Sequence, residues 1–265
     1  KYSGLLIAGV EQAAASGETF PVLSPATELP IGEVARGHAA DVNQAVAAAR
    51  DGFKQWSALA PKAREAVLLR AADIVEQEGE RRYLDLLIDE SGSVITKARN
   101  EIAYTVDLLR TAAGEVRRLY GDTFPNDNPE RMSMVFREPI GVVAVVSPYN
   151  APLSLLVKMS AFPLAAGNAV VIKPSEETPL IAVEFGKLMV EAGLPAAAIS
   201  VITGFGAECG APLVNHDEID AIALTGSTQT GKAIGAAAME KMRRVQLELG
   251  GKSALLVLND FDPVE

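Results

Sequence analysis

The sequence contains almost no cysteine or histidine. Cys209 is the single cysteine among 265 residues, and His38 and His216 are the only two histidines. One thiol cannot build an internal disulfide framework, and two widely separated imidazoles are too few for a metal cluster. We therefore expect no disulfide scaffold and no bound metal, and a reducing cytoplasmic location fits this composition best.

The sequence also lacks an excess of positive charge. Lys and Arg number 24 against 34 Asp and Glu, and the net charge of −10 is spread along the chain. Proteins that bind nucleic acid usually carry a basic surface, so we expect no nucleic-acid partner. No window reaches the ~20 apolar residues that span a bilayer, and the N-terminus shows no signal-cleavage pattern, so we expect no membrane attachment.

The sequence does have enough apolar material for a large core, with 49% hydrophobic residues and a mean hydropathy of +0.18. Residues 1–37 carry short alternating runs and turn formers, which predicts strands and turns. Helical periodicity then begins behind Asp41, which we interpret as an N-cap. The same periodicity predicts further helices over residues 61–78, 80–91 and 96–120.

The helical pattern stops at residues 121–139, where Asp, Asn and Pro break any helix. Met132 to Arg137 alternates like a half-exposed strand, so we predict a connecting β-arm. After the arm, short β-branched runs alternate with helices. Strands are predicted at 142–146, 169–172, 199–202, 221–224 and 245–247, with one more apolar strand at 253–259. This order predicts an α/β fold with a parallel sheet covered by helices on both faces.

In such a sheet, ligands bind beyond the carboxyl ends of the strands, so each strand-to-helix turn is a candidate site. In the first turn, Asn150 lies between Pro148 and Pro152. Its amide could donate a hydrogen bond to a developing oxyanion. The alternative is a turn asparagine that satisfies its own backbone.

The second turn follows the strand that ends near Ile172. Lys173 and Glu176 could hold the hydroxyls of a ribose. The alternative is a solvated loop in which Ser175 caps the next helix.

Two glycine-rich turns come later in the chain. Residues 204–210 read GxGxxxG, one residue longer than the dinucleotide pattern, and include Gly206. Residues 226–232 match the phosphate-loop pattern GxxxxGK, but Ala233 stands where a hydroxyl should bind Mg²⁺. A phosphate-loop NTPase therefore lacks its metal ligand, whereas Ser227 and the N–H groups of a helix start remain a pyrophosphate site.

The last turn contains Glu248, directly after a strand and before two glycines. A carboxylate at this place can act as a general base if apolar surroundings raise its pKa. The alternative is a salt-bridged surface glutamate.

Taken in order, these segments resemble the aldehyde dehydrogenase superfamily from about Tyr2 to Pro263. The residues that carry the resemblance are AGNAVVIKPSEETP (166–179), LTGST (224–228) and LELGGK (247–252). Two positions depart from the family pattern: Ala151 stands where an aromatic residue is common, and Met159 where a lysine often stands, with Lys158 one position earlier. The small Ala151 leaves room for bulky or aromatic aldehydes.

The resemblance implies a Rossmann-like domain that binds NAD, with NADP as the alternative, and places Lys173 and Glu176 at the adenosine ribose and Ser227 at the pyrophosphate. Glu176 favours NAD because a carboxylate repels a 2′-phosphate. The resemblance also implies Asn150 as the oxyanion donor and Glu248 as the base that activates water for thioester hydrolysis. The cofactor-binding residues are expected to be Ser147, Pro148, Lys173, Ser175, Glu176, Gly206, Gly226, Ser227, Gly231 and Leu249.

The resemblance divides the chain into four parts. These are the N-terminal strands and helices of the NAD-binding domain (1–120), an oligomerisation arm (121–139), the Rossmann-like core (140–251) and the start of a catalytic domain (252–265). The family's catalytic cysteine would lie beyond residue 265, and Cys209 is expected to be a small buried residue instead.

We therefore expect the parent protein to oxidise an aldehyde to a carboxylic acid, as a homodimer or homotetramer. The 265-residue stretch is expected to be inactive alone, with its catalytic domain missing. The alternative is a non-catalytic nucleotide-binding fragment.

Overall fold

The computed structural model describes residues 2–262, and its N-terminal part consists of short strands joined by turns, as predicted. Thr19 to Leu23 alternates exposed and buried side chains, because one face of this strand packs inward. The strands are β1 (Tyr2–Ser3), β2 (Leu5–Ile7), β3 (Val10–Gln12), β4 (Thr19–Leu23) and β5 (Pro30–Ala35). Strands β1, β5 and β4 form a small separate sheet.

The predicted helical region is confirmed, with shifted ends. The helices are α1 (Ala39–Ser57), α2 (Pro61–Gly79), α3 (Asp85–Ser91) and α4 (Ile95–Glu115). A π-helical turn over Glu80–Leu84 joins α2 to α3, and a short 3₁₀ turn over Val116–Arg118 follows α4. The last predicted helix therefore ends earlier than residue 120, because the chain turns there into the β-arm.

The prediction that Asp41 is the N-cap of the first helix is wrong. The cap is His38, and α1 begins at Ala39. Asp41 lies in the first turn, buried, and its carboxylate accepts hydrogen bonds from the backbone N–H groups of His38 (2.9 Å) and Ala15 (2.8 Å). An acid at this position satisfies free N–H groups of the helix start without being the cap itself.

The β-arm is a two-stranded antiparallel hairpin of β6 (Asp122–Phe124) and β7 (Ser133–Val135). It forms its own small sheet, and its apolar side chains Phe124 and Met134 are largely exposed.

The second half of the described chain alternates strands and helices, as predicted. Its elements are β8 (Val142–Val146), α5 (Pro152–Ala165), β9 (Ala169–Lys173), α6 (Pro179–Glu191), β10 (Ile199–Val201), α7 (Ala211–Asn215), β11 (Ala221–Gly226), α8 (Thr228–Glu240) and β12 (Arg244–Leu249). The seven-stranded sheet has the order β12-β11-β8-β9-β10-β2-β3. The first five strands are parallel, and the β2–β3 hairpin adds an antiparallel edge.

Helices cover both faces of the sheet. Helices α5 and α6 pack on one face with α2 and α4 outside them, and α1, α7 and α8 pack on the other. Strands β8 and β9 are buried almost throughout, which explains their continuous Val, Ile and Ala runs. No helix within residues 2–262 combines the length and apolar character needed to cross a bilayer.

The predicted strand at 253–259 is not formed. Residues 253–258 pair with no strand, Asn259 lies in a turn, and Leu255 is 88% exposed. A strand needs a neighbouring strand to accept its backbone hydrogen bonds, and none lies beside this segment in the described structure. Of the segment 252–265, which sequence analysis assigned to the start of a further domain, residues 263–265 lie outside the described residues.

Candidate active site

The register of the sheet aligns the carboxyl ends of its parallel strands in one row. Val146 of β8 pairs with Lys173 of β9 and with Leu224 of β11, and Leu224 pairs with Leu247 of β12. One residue further on, Glu248 pairs with Thr225. Several of the candidate turns therefore leave the sheet side by side.

The chain order reverses at β8. The chain goes from β8 to β9 on one side, and β11 later pairs with β8 on the other side. The crevice beyond the carboxyl ends of β8 and β11 is therefore the switch point at which open α/β sheets bind their ligands.

The turn between β8 and α5 is hydrogen-bonded to the sheet at its first residue, and its later residues are exposed. The buried Ser147 donates its backbone N–H to the carbonyl of Lys173 (3.2 Å), and Pro148 is half-buried. Asn150 is exposed, and its side chain makes no hydrogen bond to any described residue. The self-satisfied turn asparagine considered above is therefore not formed, and the amide is free to meet a ligand.

The turn between β9 and α6 brings Lys173 and Glu176 together. The ammonium nitrogen of Lys173 lies 2.8 Å from a carboxylate oxygen of Glu176, and the lysine is almost fully buried. Burial opposes ionisation of Glu176, but the hydrogen bond and charge of Lys173 outweigh it and lower the pKa of this carboxyl. Ser175 accepts the N–H of Glu177 (3.3 Å), so it caps the turn, while Thr178 occupies the cap position of α6.

The first glycine-rich turn forms a π-helical turn, Gly206–Gly210, that leads into α7. Gly206 is exposed, and a Cβ atom there would meet nothing within 4 Å. Cys209 is fully buried, and its thiol donates to the carbonyl of Phe205 (3.4 Å). Burial raises the pKa of this thiol to about 11. A buried thiol of this kind is a poor nucleophile, which confirms the expectation that Cys209 is a small buried residue.

The second glycine-rich turn starts α8 with Ser227 as its N-cap. Ser227 Oγ accepts the backbone N–H of Thr230 (3.1 Å), and the serine is exposed. The first N–H groups of a helix have no acceptor within the helix, so those of Thr228 and Gln229, which Ser227 does not cap, remain available to an anion here.

Gly231 and Leu249 contact each other through the packing of α8 on β12. A Cβ atom on Gly231 would lie 2.5 Å from a methyl carbon of Leu249. A side chain at position 231 would require the Leu249 side chain to move, so glycine lets α8 pack directly on this leucine. This close approach helps to place the start of α8 beside the end of β12.

Glu248 forms an ion pair across the site. Its carboxylate oxygen lies 3.4 Å from the Nζ atom of Lys158, which projects from α5. The two side chains are 49% and 38% exposed, so the pair is open to solvent. The structure therefore shows Glu248 as the salt-bridged surface glutamate that sequence analysis gave as the alternative, and its partner is the lysine found one position early.

Two buried glutamates were missed by sequence analysis. Glu101 of α4 accepts the backbone N–H groups of Leu153 (2.9 Å) and Ser154 (3.1 Å), at the start of α5. Glu90 of α3 accepts those of Leu180 and Ile181 at the start of α6. The available signal was a charged residue within an apolar helix stripe, since Glu101 lies next to the buried Ile102.

The residues at this crevice fit a dinucleotide. A lysine–carboxylate pair suits ribose hydroxyls, and the open start of α8 suits a pyrophosphate. In addition, Thr225 Oγ1 is buried at the end of β11 and has no hydrogen-bond partner within residues 2–262. A buried hydroxyl without a partner is costly, so a polar ligand group at this place would stabilise it.

Comparisons with known proteins point in the same direction. The sequence model of the aldehyde dehydrogenase family matches residues 12–265. The NADP/NAD-dependent aldehyde dehydrogenase PuuC of Escherichia coli (strain K12) is 41% identical over 259 residues, which is 97% of this chain and 52% of the relative. Phenylacetaldehyde dehydrogenase of Pseudomonas fluorescens is 41% identical over 269 residues, 98% of this chain and 53% of the relative.

Solved structures share the fold. The NAD⁺ complex of an aldehyde dehydrogenase from Bacillus cereus superimposes with a TM-score of 0.93 at 35% identity, covering 99% of this chain and 54% of that one. The chain thus spans about half the length of the relatives it matches.

Proposed function

Because this chain belongs to the aldehyde dehydrogenase family, we propose that it supplies the cofactor site, an oxyanion donor and a general base to an enzyme that oxidises aldehydes to carboxylic acids with NAD or NADP. The observation that carries this proposal is the row of strand ends. Lys173 ends β9 beside Val146, and Glu248 lies one residue beyond this row on the edge strand β12, so the two residues flank the switch point between β8 and β11.

The cofactor site draws on three turns. Lys173 and Glu176 hold the adenosine ribose, Ser227 and the first N–H groups of α8 hold the pyrophosphate, and Ser147 with Pro148 forms the floor of the crevice. Gly206, Gly226, Gly231 and Leu249 keep the backbone close to the cofactor. When bound, the nicotinamide ring accepts a hydride from the substrate carbon. The carboxylate of Glu176 favours NAD over NADP, because it repels a 2′-phosphate.

The catalytic roles in this chain fall to Asn150 and Glu248. The free amide of Asn150 donates a hydrogen bond to the aldehyde oxygen as negative charge develops on it. Glu248 takes a proton from the water that hydrolyses the thioester, and Lys158, at 3.4 Å, holds this carboxylate in place between turnovers. The attacking thiolate must come from outside residues 1–265, because Cys209 is buried and has a raised pKa. The stretch alone is therefore proposed to be inactive.

The substrate is proposed to be a bulky or aromatic aldehyde. Ala151 follows Asn150 and leaves space beside the oxyanion position. Two relatives that are 41% and 40% identical are named a phenylacetaldehyde and a benzaldehyde dehydrogenase.

The enzyme is also proposed to be a cytoplasmic homodimer or homotetramer assembled through the arm. The exposed strand edges and apolar side chains of β6 and β7 would pair with a neighbouring subunit. Light scattering of the full-length protein, before and after deletion of residues 122–135, measures the change in assembly.

The test of the reaction is a spectrophotometric assay of the full-length protein. A panel of aliphatic and aromatic aldehydes is supplied with NAD or NADP, and reduced cofactor is followed by its absorbance. We expect turnover, strongest with aromatic aldehydes and NAD. Absence of reduced cofactor above the level of a Glu248→Ala control would overturn the proposal.

One observation favours a second candidate, a non-catalytic nucleotide-binding fragment: the single cysteine of the chain is buried. Intact-mass measurement separates the two. A mass near 27.9 kDa supports a fragment, and a mass roughly twice as large supports the full enzyme.

A further inference from the structure

Helices α5 and α6 begin in the same way. Each has a proline at its first position, Pro152 and Pro179, and neither cap residue, Ala151 or Thr178, makes a side-chain hydrogen bond to the helix. Proline has no N–H group, so the second and third residues carry the first donors that need an acceptor.

In both helices a glutamate from the outer helical region accepts these two donors. Glu101 Oε1 accepts from Leu153 (2.9 Å) and Ser154 (3.1 Å). Glu90 accepts from Leu180 (2.6 Å) and Ile181 (3.0 Å), one with each oxygen. The cap is thus delivered by a different helix in each case, from 52 and 90 residues away in sequence.

Both carboxyl groups are nearly inaccessible to solvent, with Glu101 5% and Glu90 2% exposed. Burial of an acid costs free energy unless hydrogen bonds compensate. An ordinary N-cap such as serine would satisfy one donor from the adjacent position without this cost. A buried acid from another helix also links the helix start to that second helix by hydrogen bonds, which a local cap does not do.

Helix α8 shows the contrast. Its cap, Ser227, bonds within its own first turn, and its start is exposed. The first N–H groups of α5 and α6 are already bonded to a protein carboxyl group, whereas the start of α8 is open to an anionic ligand.

The two capped helix starts directly follow the two candidate turns. Leu153 lies three residues after Asn150, and Leu180 lies four residues after Glu176. Any shift of a helix start therefore moves the turn before it. The second oxygen of Glu101 is itself held by Lys97 at 3.0 Å, so the carboxylate has little freedom.

We propose that Glu101 and Glu90 are two separate positioning residues: Glu101 sets the turn of Asn150 for the reaction, and Glu90 sets the turn of Lys173 and Glu176 for cofactor binding. This inference rests on the function proposed above. It predicts that the two glutamates affect different kinetic parameters.

The test compares Glu101→Gln with Glu90→Gln in the full-length protein. Glutamine keeps the size but presents an NH₂ donor to one backbone N–H group, so one cap bond is lost. In Glu101→Gln we expect kcat to fall by about tenfold or more, since small displacements of catalytic groups have effects of this size, while the Kd for NAD stays unchanged. In Glu90→Gln we expect the Kd for NAD to rise by about tenfold, the factor that ~1.4 kcal/mol of lost binding gives, with kcat at saturating NAD unchanged.

Matched controls are Asp107→Asn in α4 and Asp89→Asn in α3, both exposed acids on the same two helices. If a glutamine variant does not fold, Lys97→Met and Glu90→Asp perturb the same caps more gently and should shift the same parameters by less.

Hydrogen exchange measured by mass spectrometry gives a readout that does not need activity. Exchange should accelerate in the peptide covering 147–156 only for Glu101→Gln, and in that covering 173–183 only for Glu90→Gln. If both variants change the same parameter, or exchange rises equally across the chain, the two glutamates are merely structural and the inference fails. If instead the unmodified protein reduces no cofactor with any aldehyde, the proposed function fails, and the exchange and NAD-binding data still test the positioning.

Discussion

The two ends of the parallel sheet use their polar groups in opposite ways. At the amino end, Asp220 accepts two hydrogen bonds from Arg50 (2.7 and 3.0 Å) and one from the backbone N–H of Val142 (2.7 Å). At the carboxyl end, Asn150 has no partner among the described residues, and Ser227 and Glu248 are exposed. The polar groups at the amino end form a closely bonded network, whereas these three at the carboxyl end are exposed and, apart from Asn150, make only local pairs such as Glu248 with Lys158.

Asn168, close to the start of β8, is likewise hydrogen-bonded within the protein. Its side-chain oxygen accepts the N–H groups of Ile140 (2.6 Å) and Gly141 (2.9 Å), and its amide donates to the carbonyl of Pro163 (3.0 Å). Gly141 has a φ of +132°, and a Cβ atom there would lie 1.9 Å from the Asp220 carboxylate. The amino end is therefore closely interlocked, which suggests that it serves stability while the carboxyl end serves function.

The largest effect is expected for Glu248→Gln, which tests whether the carboxyl end of the sheet serves function without contributing to stability. We expect kcat for aldehyde oxidation to fall by about 10²–10⁴-fold, the usual contribution of a general base, with no change in the melting temperature. Steady-state assays and thermal unfolding measure the two quantities, and Glu240→Gln at the exposed end of α8 is the control. A large drop in melting temperature would mean that the carboxyl end also carries stability.

At the opposite end, Asn168→Ala should do the reverse. The buried N–H group of Gly141 and the partly buried one of Ile140 lose their acceptor, so the free energy of unfolding should fall by about 1–3 kcal/mol. Activity per folded molecule should stay the same. Urea unfolding gives the first value and an active-site-normalised assay the second, with the exposed Asn43→Ala in α1 as control. Loss of activity without loss of stability would contradict the division.

Glu90 refines the comparison, because it lies near the carboxyl end of the sheet and yet should make the free energy of unfolding depend on pH. Burial raises its pKa from 4.5 to about 8, although the N–H groups of Leu180 and Ile181 oppose the shift. Between these values the folded protein binds a proton that the unfolded chain releases. Stability from this group is therefore full below pH 4.5 and is lost as the pH rises through 8.

The slope that one such proton gives is at most about 1.4 kcal/mol per pH unit. Unfolding by urea at several pH values should show it, and the slope should be shallower in Glu90→Gln. An identical pH dependence in both proteins would show that Glu90 is ionised throughout.

The smallest expected effect concerns cofactor choice. Removing the charge in Glu176→Gln should improve NADP binding relative to NAD by about fivefold, since two unit charges about 4 Å apart in water repel by ~1 kcal/mol. Titration calorimetry with both cofactors measures the ratio, and Glu177→Gln, one residue further along the turn, is the matched control. An unchanged ratio would place the 2′-hydroxyl away from Glu176.

The sequence allowed the alternating core to be predicted because apolar runs and helix periods are local patterns. The strands that end at Val146 and Lys173 were placed within a residue, and the turns between strands and helices followed from them. The predicted strand at 253–259 was wrong because strand formation also depends on a long-range contact. An apolar run indicates that a segment can form a strand, but it does not show that a neighbouring strand lies beside it.

Long-range contacts were equally inaccessible. Nothing near Glu101 in the sequence indicates that it caps a helix 52 residues later. Likewise, Lys158 could not be connected with Glu248, because the pairing depends on the lengths of α5 and β12 and on how they sit together. The roles proposed for Asn150 and the cofactor-binding residues stay predictions until the assays above are done.

The β2–β3 hairpin has a consequence for how the protein is made. Leu6 pairs with Val201, so β2 can join β10 only after nearly two hundred further residues have been synthesised. At ordinary translation speeds this takes roughly 10–40 s. During that interval Leu5–Ile7 can pair only with β3, and its other edge has no strand to join. Nascent chains that stop before β10 should therefore be cut by protease at this stretch, whereas those that continue beyond it should resist.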